Sequence, residues 1–286
     1  MTDIATGIRI VVAWDGSEPA RAALDWALAH APSGDLTLVR VLDSSVTSAD
    51  YFALDSALAR AKEVLLDDAE RVSAKHPALT VHSELLSGDP ITKLREQSSA
   101  DTLVVVGTHR RRGSTLRYEW SMGARLAGSA RGPIAIVPED DDTPRTGIVV
   151  GVDGSATSNA AVEFAAIEAE RTGQELQAVH AWQEPLVWRD TAPPDAEFLK
   201  SIEESHQHIL DDCMLTVTTR HPGLRIRAVL VRGSAQSALL DAARGAALLV
   251  VGDHGLTGVS RLLLGSVSHS IVLNIQSPLV VMPSPA

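Results

Sequence analysis

The residues best placed for chemistry run from Val250 to Ser268. Val250-Val251-Gly252-Asp253-His254-Gly255-Leu256-Thr257-Gly258 closes an apolar run that begins at Leu248, and Leu264-Gly265-Ser266-Val267-Ser268 follows. The run reads as a buried parallel strand, glycine stops it, and Gly265-Ser266 opens a helix after a glycine-rich loop. A strand–loop–helix unit gathers backbone N–H groups at the positive end of a helix, which makes a site for phosphate. Gly252 and Gly255 let a ligand approach the backbone closely or let the chain take a positive φ. Gly265, Ser266 and Val267 present N–H groups, and the hydroxyls of Ser266 and Ser268 add donors. Glycines after a strand also make plain turns, but the spacing Gly252-x2-Gly255-x9-Gly265-Ser266 is more particular than a turn needs. The reading is a loop that holds the phosphates of a nucleotide. Two other nucleotide loops are excluded: there is no Gly-x4-Gly-Lys-Ser/Thr, and no Gly-x-Gly-x-x-Gly after the first strand.

Strands must bring such a loop into a crevice. Apolar runs at Ile8–Ala13, Leu36–Leu42, Thr80–Leu86, Leu103–Val106 and Ile134–Val137 read as strands. Helical stretches separate them. Ser17 is placed to cap the first, with Pro19 in its first turn, and Pro32-Ser33-Gly34 stops it. The second runs from about Ser48 to Lys75, with Leu54, Leu58, Val64 and Leu65 on one side. Strands alternating with helices indicate an α/β fold with a mainly parallel sheet. A charged, proline-containing stretch from Glu139 to Thr146 then interrupts the pattern, which restarts. Val149-Val150-Gly151-Val152-Asp153-Gly154-Ser155 repeats Val11-Val12-Ala13-Trp14-Asp15-Gly16-Ser17, an offset of 138 from Asp15 to Asp153. Gly233, Gly252 and Pro278 repeat Gly88, Gly107 and Pro133 at an offset of 145. The seven extra residues are expected between the second and third strands of the second copy, around Trp188 to Lys200. The chain is an internal duplication: a domain at 1–139, a linker at 140–146 and a domain at 147–286.

Composition narrows the function classes. The formal net charge of −11 argues against nucleic acid as a partner, because that binding relies on a basic surface. A local anion site made of main-chain N–H groups is untouched by that argument. No apolar run approaches the roughly 18 residues that span a bilayer, and Met1-Thr2-Asp3-Ile4-Ala5 lacks the pattern of a signal peptide. A cytoplasmic protein without a membrane partner is expected. Cys213 is the sole cysteine, so neither an intramolecular disulfide nor a cysteine-based zinc site can form, and it reads as a small packing residue.

In open parallel sheets ligands bind beyond the carboxyl ends of the strands, where the strand order reverses. In the second copy Asp153 ends the first strand, His180-Ala181-Trp182 the second and Gly252 to Gly255 the fourth, so these should meet in one crevice. Asp153 suits the hydroxyls of a ribose, although an Asp at such a turn also bonds its own backbone. Gly-x2-Gly-x9-Gly-Ser, with Gly252-Asp253-His254-Gly255, Leu264-Gly265-Ser266-Val267-Ser268 and the later Ser277-Pro278-Leu279-Val280-Val281, resembles the ATP-binding signature of the universal stress protein family. The Val-x-x-x-Asp-Gly-Ser opening of each copy is similar to the same family, and the resemblance covers essentially the whole chain as a tandem member. It implies two tandem α/β domains, each an open five-stranded mainly parallel sheet in the order 3-2-1-4-5 with helices on both faces. It also implies ATP as ligand, with a divalent cation such as Mg2+, and a homodimer. Carried over residue by residue, Asp153 would contact the adenosine and the backbone of Ala181 the adenine edge. Gly252, Gly255, Gly265, Ser266, Val267 and Ser268 would hold ribose and phosphates. Asp253 stands where the family has a small neutral residue, and a carboxylate there must point away or meet a cation.

The first copy departs further from that signature. Arg110 stands at the position of Gly255 and Trp120 at that of Gly265, while Gly107, Gly113, Ser121 and Asp15 remain. A tryptophan at the backbone nest should fill the phosphate position, so ATP is expected in the second domain only. His254 shows no base–nucleophile partner. His206 and His208 are two apart, do not share a helix face, and read as surface residues of a helix. The expected function is an ATP-dependent switch or sensor in the stress response, acting through a partner protein that the sequence does not name. Any ATP hydrolysis should be slow, because no Walker-type lysine, arginine finger or water-positioning residue is evident. Two alternatives stay open: an interaction module that binds no nucleotide, and a nucleotidyl- or phosphoryl-transfer enzyme drawing on Asp153, Asp253 and His254.

Overall fold

The computed structural model describes residues 8–31, 33–43, 51–109, 122–139, 143–184, 196–253 and 264–284, without the side chains of 51–55. The chain forms two compact units, Met1–Asp142 and Thr143–Ala286. In the first, β1 (Arg9–Ala13), α1 (Glu18–His30), β2 (Gly34–Leu42), α2 (Tyr51–Lys75), β3 (Leu79–Ser87), α3 (Pro90–Glu96), β4 (Thr102–Thr108), α4 (Met122–Ala127) and β5 (Ile134–Pro138) follow in sequence. In the second, β6 (Ile148–Val152), α5 (Ala156–Thr172), β7 (Leu176–Trp182), α6 (Ala196–Arg220), β8 (Ile226–Arg232), α7 (Ala235–Ala242), β9 (Leu248–Gly252), α8 (Ser266–Asn274) and β10 (Leu279–Met282) repeat the plan.

Each unit has a parallel sheet. The first runs β3-β2-β1-β4-β5 and the second β8-β7-β6-β9-β10, which is the expected order 3-2-1-4-5. Strand order reverses between β1 and β4, and again between β6 and β9. The central strands are apolar throughout because helices cover both faces. Val104, Val105 and Val106 of β4 and Leu248, Leu249 and Val250 of β9 are fully or almost fully buried. In the second unit α5 packs with α6, and α7 with α8. Among the described residues no helix is long and apolar enough to cross a membrane.

Both first helices start by the same local chemistry. Asp15 Oδ1 accepts the Ser17 N–H at 2.9 Å, and Ser17 Oγ accepts the Ala20 N–H at 3.3 Å. Asp153 Oδ1 accepts the Ser155 N–H at 2.9 Å, and Ser155 Oγ accepts the Ser158 N–H at 3.1 Å. The glycine between has φ of 80° in each copy, a left-handed turn that disfavours any side chain. The turn throws the helix back across the sheet at the strand's carboxyl end.

Two readings of the sequence are corrected. The face of α2 toward the sheet is Ala61, Leu65, Ala69 and Val72, a spacing of four, four and three, whereas Val64 is 42% exposed. Alanines were overlooked because they carry little hydrophobic signal, yet they let the helix sit close. The seven extra residues of the second copy do not all fall between its second and third strands. Ile10 pairs with Leu36 and Ile148 with Leu176, so the offset has already grown to 140 at the second strand. Two of the residues therefore lie before that strand, where α5 runs 17 residues against 13 in α1.

The first turn of α1 lies against β4. A Cβ at Gly107 would stand 2.1 Å from the backbone oxygen of Pro19. Gly107→Ala should cost about 1–3 kcal/mol through overpacking, seen as a lower urea midpoint at unchanged slope. Gly223→Ala, where a Cβ meets open space, should stay within about 0.5 kcal/mol of the parent.

Candidate functional site

The crevice of the second unit lies at the carboxyl ends of β6, β7 and β9. Gly252 ends β9, and a Cβ there would stand 2.7 Å from Thr157 Cγ2. Of the two reasons expected for glycine here, a positive φ does not apply. The first turn of α5 requires the glycine. Past Gly252 the chain leaves the sheet at Asp253 and returns at Gly265, whose N–H donates to the Asp253 carbonyl at 2.7 Å. One hydrogen bond thus closes the neck of the glycine-rich loop. His254, Gly255 and Gly258 lie outside the described residues, as do Arg110, Gly113, Trp120 and Ser121 of the first copy and Trp188.

Gly265 caps α8 with φ −57° and ψ 154°, and no side chain caps the helix. The first intrahelical bond is His269 N–H to the Gly265 carbonyl at 2.8 Å. The N–H groups of Ser266, Val267 and Ser268 precede it and have no acceptor within the helix. Ser266 and Val267 are exposed. Ser268 is buried, and its hydroxyl donates to the Gly252 carbonyl at 2.5 Å. That hydroxyl fixes the helix start to the strand end, and the Ser268 N–H remains among the three without a helical acceptor. These N–H groups carry the positive pole of the helix dipole.

Asp253 bears on whether an anion fits here. Its side chain is buried, and Oδ1 accepts the Ser284 hydroxyl at 2.9 Å. The Ser284 hydroxyl lies 3.4 Å from Thr157 Oγ1. The carboxylate thus holds Ser284, just past β10, and the Ser284 hydroxyl in turn meets the start of α5. Asp153 uses one oxygen in its own turn, which is the structural role weighed for it from sequence. Ala181 stands half-buried in β7, in register with Val231.

The residues brought together from sequence are therefore Asp153, Ala181, Gly252, Gly265, Ser266, Val267 and Ser268, at the ends of adjacent elements. Sequence reasoning missed a histidine pair beside them. His180 is buried on β7, and its Nδ1 lies 2.6 Å from the Val152 carbonyl oxygen. A carbonyl only accepts, so Nδ1 carries the proton and Nε2 accepts from His206 Nδ1 at 2.8 Å. His206 is half-buried and also stacks on Trp182 at 5.6 Å, so it is not the plain surface residue expected. The signal available in the sequence was His180 at a buried position of strand alternation, where an imidazole needs a polar partner. Trp182 itself is buried beneath α6, with the Arg232 guanidinium 5.7 Å from its ring centre. Cys213, on the same helix, is buried, and burial followed by the Asp153 charge pushes its thiol up to about 11. That accords with packing. Among the described residues no group of three or more His, Cys, Asp or Glu could hold a metal ion.

Comparison with known proteins decides the family. The model of the universal stress protein family matches residues 8–138 and again 145–283. The chain belongs to the universal stress protein family. A universal stress protein of Mycolicibacterium smegmatis is 30% identical over 297 residues, which is 99% of each chain. One from Mycobacterium tuberculosis strain H37Rv is 28% identical over 316 residues, covering 98% of this chain and 96% of the relative. In structure, a universal stress protein from Archaeoglobus fulgidus superposes with a TM-score of 0.69 at 19% identity over 96% of both chains. These likenesses span both repeats, so the tandem arrangement is a property shared with whole proteins of the universal stress protein family.

Within this universal stress protein the histidine pair makes stability depend on pH. Burial, and secondly the facing His180, hold His206 below its ordinary range. The unfolded chain then takes up a proton at higher pH than the folded one. Full stability is present above the ordinary value of about 6.5 and declines as pH falls through it toward the lower folded value. The urea midpoint should therefore fall more between about pH 7 and 5 in the parent chain than in His206→Gln. Equal falls in the two would show that the pair is not a cause.

Proposed function

We propose that the second unit binds ATP and that the protein works as a nucleotide-dependent switch in the stress response. The observation that carries this reading is the start of α8. Three N–H groups there have no helical acceptor, the N-cap glycine has no side chain to cap them, and two hydrogen bonds to the end of β9 hold them in place. A preorganised set of main-chain donors at a helix N-terminus suits phosphate, and it needs no Lys or Arg in a chain of net charge −11. Asp153 and the backbone of Ala181 supply the places for ribose and adenine. Gly255 and the loop around it complete the signature in sequence, and Asp253 turns one carboxylate oxygen to the Ser284 hydroxyl. A divalent cation such as Mg2+ would be carried in with the nucleotide, since ATP brings the oxygens such a cation favours.

Binding alone shifts nothing unless two states differ in affinity, so the switch acts through a conformer or partner protein that distinguishes loaded from empty chain. The reading rests on backbone geometry, so it is tested by bulk. Gly265→Trp, which copies the residue at the equivalent position of the first repeat, should abolish ATP binding by calorimetry while the far-UV dichroism stays that of the parent. Unchanged affinity would remove the site. Mass spectrometry of small molecules released from purified, denatured protein should find an adenine nucleotide in the parent chain and none in the variant.

A further inference from the structure

The first unit has a crevice of its own at the corresponding switch point, with a cavity of about 160 Å³ among Ala13, Trp14, Asp15, Ser17, Pro19, Ala20, Val39, Val41, Pro90, Leu94, Gly107 and Met122. The volume is close to that of an engineered apolar cavity of about 150 Å³ that takes up benzene. The wall is chemically unlike the equivalent wall of the second unit. Pro19 and Ala20 stand where Thr157 and Ser158 stand, so two hydroxyls are gone. Val41 replaces Ala181, Ala13 replaces Gly151 and Pro90 replaces Ala235. Each exchange makes the crevice smaller or more apolar.

The polar side chains that remain in the wall each make a local bond, as their counterparts in the second unit do. Asp15 Oδ1 holds the Ser17 N–H, and Ser17 Oγ holds the Ala20 N–H. The Trp14 indole N–H donates to Asp68 Oδ2 on α2 at 2.8 Å, which fixes the ring against the cavity and turns its one donor elsewhere. A ligand entering here meets the ring of Trp14 and the alkyl groups of Ala20, Val39, Val41, Leu94 and Met122. Most of the surface such a ligand meets is apolar, so a polar ligand gains little from that wall.

We propose that this crevice binds a small apolar aromatic molecule, one or two fused rings in size, and not a nucleotide. The two repeats then divide their ligands: a triphosphate on main-chain donors in the second, a planar apolar ring in the first. The selection is by apolar contact and by fit, with the ring packed against Trp14 and the Met122 sulfur, a soft partner for aromatic edges.

Met122 is one of four methionines in the chain and supplies the probe. The full chain, with 13C-labelled methionine methyl groups and in the presence of excess ATP, is titrated with benzene, indole and adenosine. The Met122 methyl signal, assigned by Met122→Leu, should move saturably with indole and benzene, with a Kd of about 1 mM or tighter. The Met214 and Met282 signals should stay in place. Val41→Trp and the smaller change Ala20→Leu fill the cavity, and each should weaken indole binding at least tenfold. A Met122 signal that neither aromatic moves would overturn the proposal. So would adenosine moving it at lower concentration than indole, or filling variants that leave the titration unchanged. None of these outcomes depends on Gly265, so the ATP reading stands or falls separately.

Discussion

The first turn of α5 lies so close to the last residue of β9 that no side chain fits between them, and the first turn of α1 stands likewise against β4. That approach is the constraint on which each crevice depends. It brings a capped helix start to the carboxyl edge of the sheet beside the strand-order reversal. In the second unit it also sets Thr157 within reach of Ser284, whose hydroxyl holds Asp253. Widening the gap by one methyl group would move the wall of the crevice and the neck of the loop together, because Gly252 also receives the Ser268 hydroxyl.

On this shared frame the two repeats differ in what they present. The second keeps hydroxyls at Thr157 and Ser158 and an uncapped α8 whose donors are fixed from behind. The first has proline and alanine at those places and a tryptophan tied to α2. The backbone plan is nearly the same in both, so the difference is one of wall chemistry. Duplication gives a chain two chances at the same crevice, and a side-chain exchange is enough to turn one of them from polar to oily.

Much of this was legible before any coordinates. Continuous apolar runs gave the central strands, because a sheet covered on both faces leaves no polar position to mark an edge. Asp-Gly-Ser gave both helix starts, since an Asx turn and a serine cap are local chemistry. Other features depended on what touches what. Gly252 looked like a residue for ligand approach, and only the position of Thr157 shows the packing reason. The two residues gained before β7 are invisible until strand register is known. His206 looked like a surface residue because its partner, His180, is 26 positions away on a strand. The inward face of α2 was misread because alanine contributes little to an apolar pattern even where it sits against a sheet.

Cys213 lies on the same helix as His206, with its thiol pushed up to about 11 by burial and by Asp153. At neutral pH such a group is almost wholly protonated, and the ionised form is the one that reacts. The one thiol of the chain is therefore a poor nucleophile toward peroxide and electrophiles at neutral pH. Thiol chemistry is thus a slow way into this fold, and the thioether of Met122, 38% exposed, is the more open sulfur.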